Sequence, residues 1–222
     1  LTTAAEFQAV LGDLNTVMLG DLDAMWSHAA DWDAQEFRSW VLDAYPDVAS
    51  PYVDAAGDLA ADWYDDAAPE LEFKAKPAAL PPVEQMRASA GWALSNESAF
   101  ELLAGSAQRM LFNGSRQTVL GAVEQEAGAT WARHASGTAC SFCRMLATRS
   151  NVYVSKGAAE HGKSGSRYHD NCHCLAVMVR PGCSFEPAPY VSAWEADYKA
   201  ARRLAGSGDV KEIMAAYRQL GQ

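Results

Sequence analysis

Apolar side chains recur at three- and four-residue intervals at Phe7, Val10, Leu11, Leu14, Met18, Leu22, Met25 and Trp26. That is the spacing of one helix face, and it predicts a long amphipathic helix over residues 2–28. Thr2 or Thr3 caps it, with Glu6 in the capping-box position. A second helix starts near Asp33, carries Phe37, Trp40, Val41 and Ala44, and is bent or broken at Pro46, which has no N–H to donate. A third runs from about Ser50 to Asp65, with Pro51 in its first turn and Val53, Ala56, Leu59, Ala60, Trp63 and Tyr64 in one apolar row.

The helical rhythm fails from Ala67 to Pro82, where Pro69, Pro77, Pro81 and Pro82 surround the alternating Leu71-Glu-Phe-Lys segment. This composition predicts an extended linker or arm, which either connects helical groups or lies across a neighbouring subunit. Periodicity returns at Val83 and predicts helices over Glu84 to Ala93, Ser98 to Asn113 and Ser115 to Ala132. Gly114 reads as a C-terminal stop and Ser115 as the next cap. Trp92, Phe100, Met110 and Phe112 sit at helical spacings and read as core.

Beyond this point the pattern changes. Trp131-Ala-Arg-His-Ala is a short strand or a last helical turn, while Val152-Tyr-Val-Ser and Cys174 to Arg180 read as strands, the second ending at Pro181-Gly182. After Pro187 and Pro189, a helix from Tyr190 to Leu204 and another from Val210 to about Leu220, capped by Asp209, complete the chain. The expected class is α+β, mostly α-helical with a small C-terminal zinc-knuckle-like β module. The expected segments are a helical region over 1–66, the linker or arm over 67–82, a helical region over 83–130, a Cys/His-rich α+β module over 131–182 and C-terminal helices over 183–222.

The candidate chemistry lies in the α+β module. Cys140-Ser-Phe-Cys143 is followed, after about 25 residues, by His169-Asp-Asn-Cys172-His173-Cys174, so four of the five cysteines fall in two short clusters. A C-x-x-C turn aims two thiolates at one point, and a second cluster beside it completes a tetrahedral zinc shell. Cys140 and Cys143 form the first pair, with His169 and either Cys172 or Cys174 as the second. In an extended 172–174 run the two cysteines share one face and His173 turns away. Disulfide pairing of Cys140 with Cys143, or of either with Cys172 or Cys174, uses the same residues. Cys183 reads as an isolated loop thiol.

Composition narrows the function. The 222 residues are 49% hydrophobic and 21% charged, ordinary values for a globular chain. Acidic side chains outnumber basic ones 28 to 18, giving a formal net charge of -10, which argues against a nonspecific nucleic-acid binder held by phosphate neutralisation. Acid concentrates in the first third and base between Arg144 and Arg180 and between Lys199 and Arg218. No apolar run spans a bilayer, and Leu1 to Phe7 lacks the basic and apolar regions of a secretory signal, so the thiols are expected to meet a reducing cytoplasm first.

Enzymatic alternatives find little local support. Gly157, Gly162, Lys163 and Ser164 match a phosphate-binding loop pattern literally, but no apolar helix periodicity follows them and the later strand ends in Arg180 rather than a magnesium-binding Asp. A zinc deaminase needs an H-x-E segment before P-C-x-x-C, and neither is present. A treble-clef nuclease would use His169-Asp-Asn; a capsid protease would draw on Ser141, Ser155 or His134, none of which sits in a nucleophile elbow. Arg144, Arg149, Lys156, Lys163 and Arg167 form a basic group that balances thiolate charge or meets DNA locally.

Trp63-Tyr64, Trp131-Ala-Arg, Cys140-Ser-Phe-Cys143-Arg-Met-Leu-Ala, Val152-Tyr153 and Tyr168-His169-Asp-Asn-Cys172-His173-Cys174 together resemble the Mu F-like minor head proteins, or head morphogenesis proteins, of actinobacterial tailed phages. The likeness spans about residues 50–180. It implies a virion component of low copy number inside the head near the portal vertex, made in the host cytoplasm, which aids head assembly and genome packaging or delivery. It implies the portal protein and major capsid or scaffold proteins as partners and does not establish a catalytic activity; the chain is expected to be non-enzymatic, with local contact to packaged DNA through the basic group and no membrane. The family's C-x-x-C and H-x-x-C-x-C motifs fall on Cys140, Cys143, His169, Cys172 and Cys174, with structural zinc as the implied cofactor. His173 takes the place of the basic residue often found between the last two cysteines. Some relatives are fused to a head maturation protease, which nothing in this chain supplies.

Overall fold

In the computed structural model, residues 2–148 and 172–221 are described, and they fall into two compact units. Among the described residues, the first takes 2–121 with Cys172, and the second takes 122–148 and 173–221. The chain is mostly α-helical with a small β module, as its periodicities predict.

In the first unit, α1 spans Ala4–His28 and starts with the predicted box: Glu6 N–H donates to Thr3 Oγ1 at 3.2 Å, and Thr3 N–H donates to Glu6 Oε2 at 2.8 Å. Phe7, Leu11, Met18, Leu22 and Met25 form its buried face. Helix α2 spans Ala34–Asp66, with the Asp33 carboxylate accepting from Gln35 and Glu36 N–H. Phe7 stacks on Trp63 with ring centroids 4.2 Å apart, and Trp63 Nε1 donates to the Thr2 carbonyl.

Of the bend or break expected at Pro46, the break does not occur: the second and third predicted helices are one element, and α2 runs through both Pro46 and Pro51. A mid-helix proline costs about 3 kcal/mol. Against that, one continuous stripe of Val41, Tyr45, Ala49, Val53, Ala56, Ala60 and Tyr64 is buried, and each large apolar side chain contributes about 1.5–3 kcal/mol. The summed burial exceeds the proline penalty.

After α3 (Val83–Ala93), helix α4 spans Ala99–Gln125 as one element, so Gly114 is not a stop. A Cβ on Gly114 would lie 2.7 Å from the Val53 carbonyl oxygen; glycine here permits close approach of α2 and α4. The extended 67–82 segment lies on its own helices. Ala75 N–H donates to Asp65 Oδ1, Ala78 N–H donates to Thr118 Oγ1, and Pro77 faces Gly57. Phe112 and Met110 are buried as expected, but Trp92 is 56% exposed and is not core.

In the second unit the last turn of α4 is followed by Gly128 at φ 84, a left-handed conformation that ends helical geometry well before Ala132. Strand β1 (Thr130–His134) then pairs antiparallel with β2 (Leu175–Val179), Trp131 opposite Met178 and His134 opposite Leu175. Between them in sequence comes α5 (Ser141–Ala147). Helix α6 (Val191–Ala205) ends at Gly206, φ 65, and Asp209 caps α7 (Val210–Gln219) through Lys211 and Glu212 N–H. Met145 and Leu146 of α5 pack with Ala201, Ile213, Ala216 and Tyr217, so the terminal helices fold back onto α5. The predicted Val152–Ser155 strand lies outside the described residues.

Candidate metal centre

Two short elements deliver the thiols. Cys140 is the N-cap of α5, with extended backbone at φ -64 and ψ 158, and Cys143 lies in the first turn, buried like Met145, Leu146 and Ala147 further along the helix. The turn before α5 is held by Ala139 N–H donating to the Ser136 carbonyl, and Arg144 Nε donates back to the Ala139 carbonyl at 2.7 Å. The Arg144 guanidinium also lies over the Trp194 ring, 5.6 Å from its centroid, which ties α5 to α6.

The second cluster leads directly into β2. Cys172 is buried, His173 exposed and Cys174 buried, the alternation expected of an extended run. The two-stranded ribbon is marginal by itself. It is stabilised by burial of both faces and, at its far end, by Arg180, which donates to both oxygens of Glu126 at 2.7–3.2 Å. The Cys172 carbonyl accepts a hydrogen bond from Arg116 Nη2. Arg116 is itself fully buried, and its Nη1 donates to Asn113 Oδ1.

The sulfurs of Cys143, Cys172 and Cys174 all lie within 4.8 Å of one another, and all three residues are buried. Thiolates bound to one zinc at about 2.3 Å stand roughly 3.8 Å apart in tetrahedral geometry. The three-thiol group is therefore compatible with a metal ion. Its chemistry agrees, because buried thiolates need a cation to offset their desolvation. Both Cys172 and Cys174 join Cys143, where the residue pattern asked for only one of them. Cys140 is exposed at the helix cap and stands outside the group; His169 lies outside the described residues.

Tyr190 borders this site. Its hydroxyl donates to the Ala135 carbonyl at 2.8 Å, its ring packs on Trp194, and burial together with the charge of Cys174 raises its pKa. His134 is buried, and loss of solvent lowers its pKa and favours the neutral imidazole. Opposite Leu175 in the ribbon, it is one residue out of phase with Cys174 and is not among the clustered ligands. Of the basic group proposed around the knuckle, Arg144 alone is described, and it is engaged with Trp194 and Ala139. Residues 157–164, the phosphate-loop pattern, and the His169-Asp-Asn nuclease candidate lie outside the described residues.

Sequence reasoning missed the Glu126–Arg180 pair, Arg116 and the Tyr190–Trp194–Arg144 stack. A charged residue closing the all-apolar Leu175 to Val179 run was the one available signal, since such a charge needs a buried partner.

A protein-family model described as VG15 protein matches residues 1–201, and the chain belongs to that family. The designation agrees with a phage virion protein. No curated protein and no solved structure matches the chain.

Proposed function

We propose that the chain is a non-enzymatic minor head protein of the phage particle, seated inside the head near the portal vertex and acting in head assembly and genome packaging or delivery. Its partners in this reading are the portal protein and major capsid or scaffold proteins, with local contact to packaged DNA. Support comes from the VG15 family match and from the resemblance to Mu F-like head proteins carried by the Cys/His motifs. No helix among the described residues is long and apolar enough to cross a membrane.

The observation that carries the structural role is the convergence of Cys143, Cys172 and Cys174. In this proposal the three thiolates hold one zinc, with a fourth ligand from Cys140 or His169. The ion supplies cross-linking between the start of β2 and α5, and no open position for chemistry is required.

Two measurements test the two parts. Metal analysis of protein purified under reducing conditions should find about one zinc per chain; less than about half an equivalent in folded protein would overturn the zinc assignment. Cryo-electron microscopy of assembled particles should place the chain at the portal vertex. Its absence from the particle would overturn the head-protein assignment.

A further inference from the structure

Residues of α1 and α2 line an open cleft of about 690 Å³, distant in sequence from the thiol clusters and wholly within the first unit. Met25, Trp40, Val48 and Pro51 make its apolar wall. Trp40 Nε1 donates to the Met25 carbonyl at 3.2 Å, which holds the indole in place against the cleft. Asp21, Asp43 and Asp47 line the same cleft.

Several features make this wall selective for a cation. Tyr52 donates its hydroxyl to Asp21, and that hydrogen bond, ahead of burial and the Asp21 charge, raises the tyrosine pKa, as a negative neighbour should. Pro51, inside α2, has no N–H, so the Asp47 carbonyl lacks its helical i+4 donor. The chain itself shows what suits these groups: Arg87 Nη2 sits 3.0 Å from Asp43 Oδ1. A fixed indole, a flat apolar wall and several oxygen acceptors match a guanidinium on an aliphatic stem better than a metal ion, which would not use the apolar surface.

We propose that this cleft is a docking site for an arginine side chain presented by a basic polypeptide segment of a partner protein. The stem lies along Met25 and Pro51, the planar head stacks on Trp40, and Asp21 and Asp47 receive its N–H donors. This inference stands apart from the zinc and head-protein assignments, since it uses none of their residues.

The probe is a hexa-arginine peptide titrated into the full chain, followed by calorimetry and by amide NMR. Binding should perturb α1 and α2 around the cleft, weaken with salt, and fall about tenfold in the Asp21→Asn/Asp47→Asn variant. The Asp13→Asn/Asp58→Asn variant removes the same charge from positions that do not line the cleft and should retain most of the affinity. Should the first double variant unfold, the exposed Asp47→Asn single variant carries the test, with a smaller loss expected. Equal weakening in both double variants would reduce the effect to net charge and overturn the proposal. So would absence of binding, equally strong binding of tetramethylammonium, or self-association of the chain through the cleft in place of peptide binding.

Discussion

Glu126 and Arg180 meet in a buried two-pronged ion pair, with Arg180 Nη2 2.7 Å from Glu126 Oε1 and Arg180 Nε 3.0 Å from Glu126 Oε2. The pair fastens the residue after β2 to the residue after α4, and so closes the end of the ribbon opposite the cysteines. Breaking it on one side leaves a charge buried without its counterion. Glu126→Gln should therefore lower the unfolding free energy by about 3–5 kcal/mol in urea titration, while replacing both partners with Leu and Met should cost much less.

Gly114 and Gly12 should respond to the same substitution with opposite signs. Gly114→Ala places a methyl group against the Val53 carbonyl and should destabilise by about 1–3 kcal/mol as α2 and α4 shift apart. Around Gly12, within α1, nothing lies within 4 Å of an added Cβ, and Gly12→Ala should stabilise by roughly 0.5–1 kcal/mol. Thermal denaturation of the two variants side by side checks both.

His134 supplies an acid-side weakness. Its folded pKa is held below 6.5 by burial, so the folded state favours the neutral ring and the unfolded state binds the proton more readily. The associated stability is present above about pH 6.5 and is lost as pH falls through the lowered folded value. Comparing unfolding free energies of the native chain and His134→Gln between pH 7.5 and 5 should show a shallower decline in the variant. Equal slopes would mean that His134 does not contribute.

For the cysteines, Cys143→Ser, Cys172→Ser and Cys174→Ser should each reduce zinc retention below about half an equivalent and lower the melting temperature, whereas Cys183→Ser, exposed and outside the group, should do neither. Chelator treatment of the native chain should reproduce the thiol variants. Metal content of Cys140→Ser and His169→Ala then identifies the fourth ligand: the variant that loses zinc has removed it.

Much of the fold is legible in short stretches of chain. Thr3 with Glu6, Asp33 and Asp209 each mark a helix start because a cap is settled by hydrogen bonds within about three residues. The buried, exposed, buried order of Cys172, His173 and Cys174 follows from extended backbone geometry alone. The family-like motif pairing also pointed to the region where the three thiols meet.

Pro46 and Gly114 show where local reading stops. Taken locally, each is a helix breaker; in the folded chain, burial along α2 outweighs the proline's lost hydrogen bond, and the missing Cβ of Gly114 admits the Val53 carbonyl. The meeting of Cys143 with both Cys172 and Cys174, and of Glu126 with Arg180, likewise joins residues about 30 or more positions apart. Sequence alone determined the caps, the helix faces and the clustering of thiols, since these depend on chemistry within a turn or two. Tertiary structure decided which breaks were overridden and which distant groups met, because the burial energy gained across packed elements exceeds the local backbone preferences it opposes.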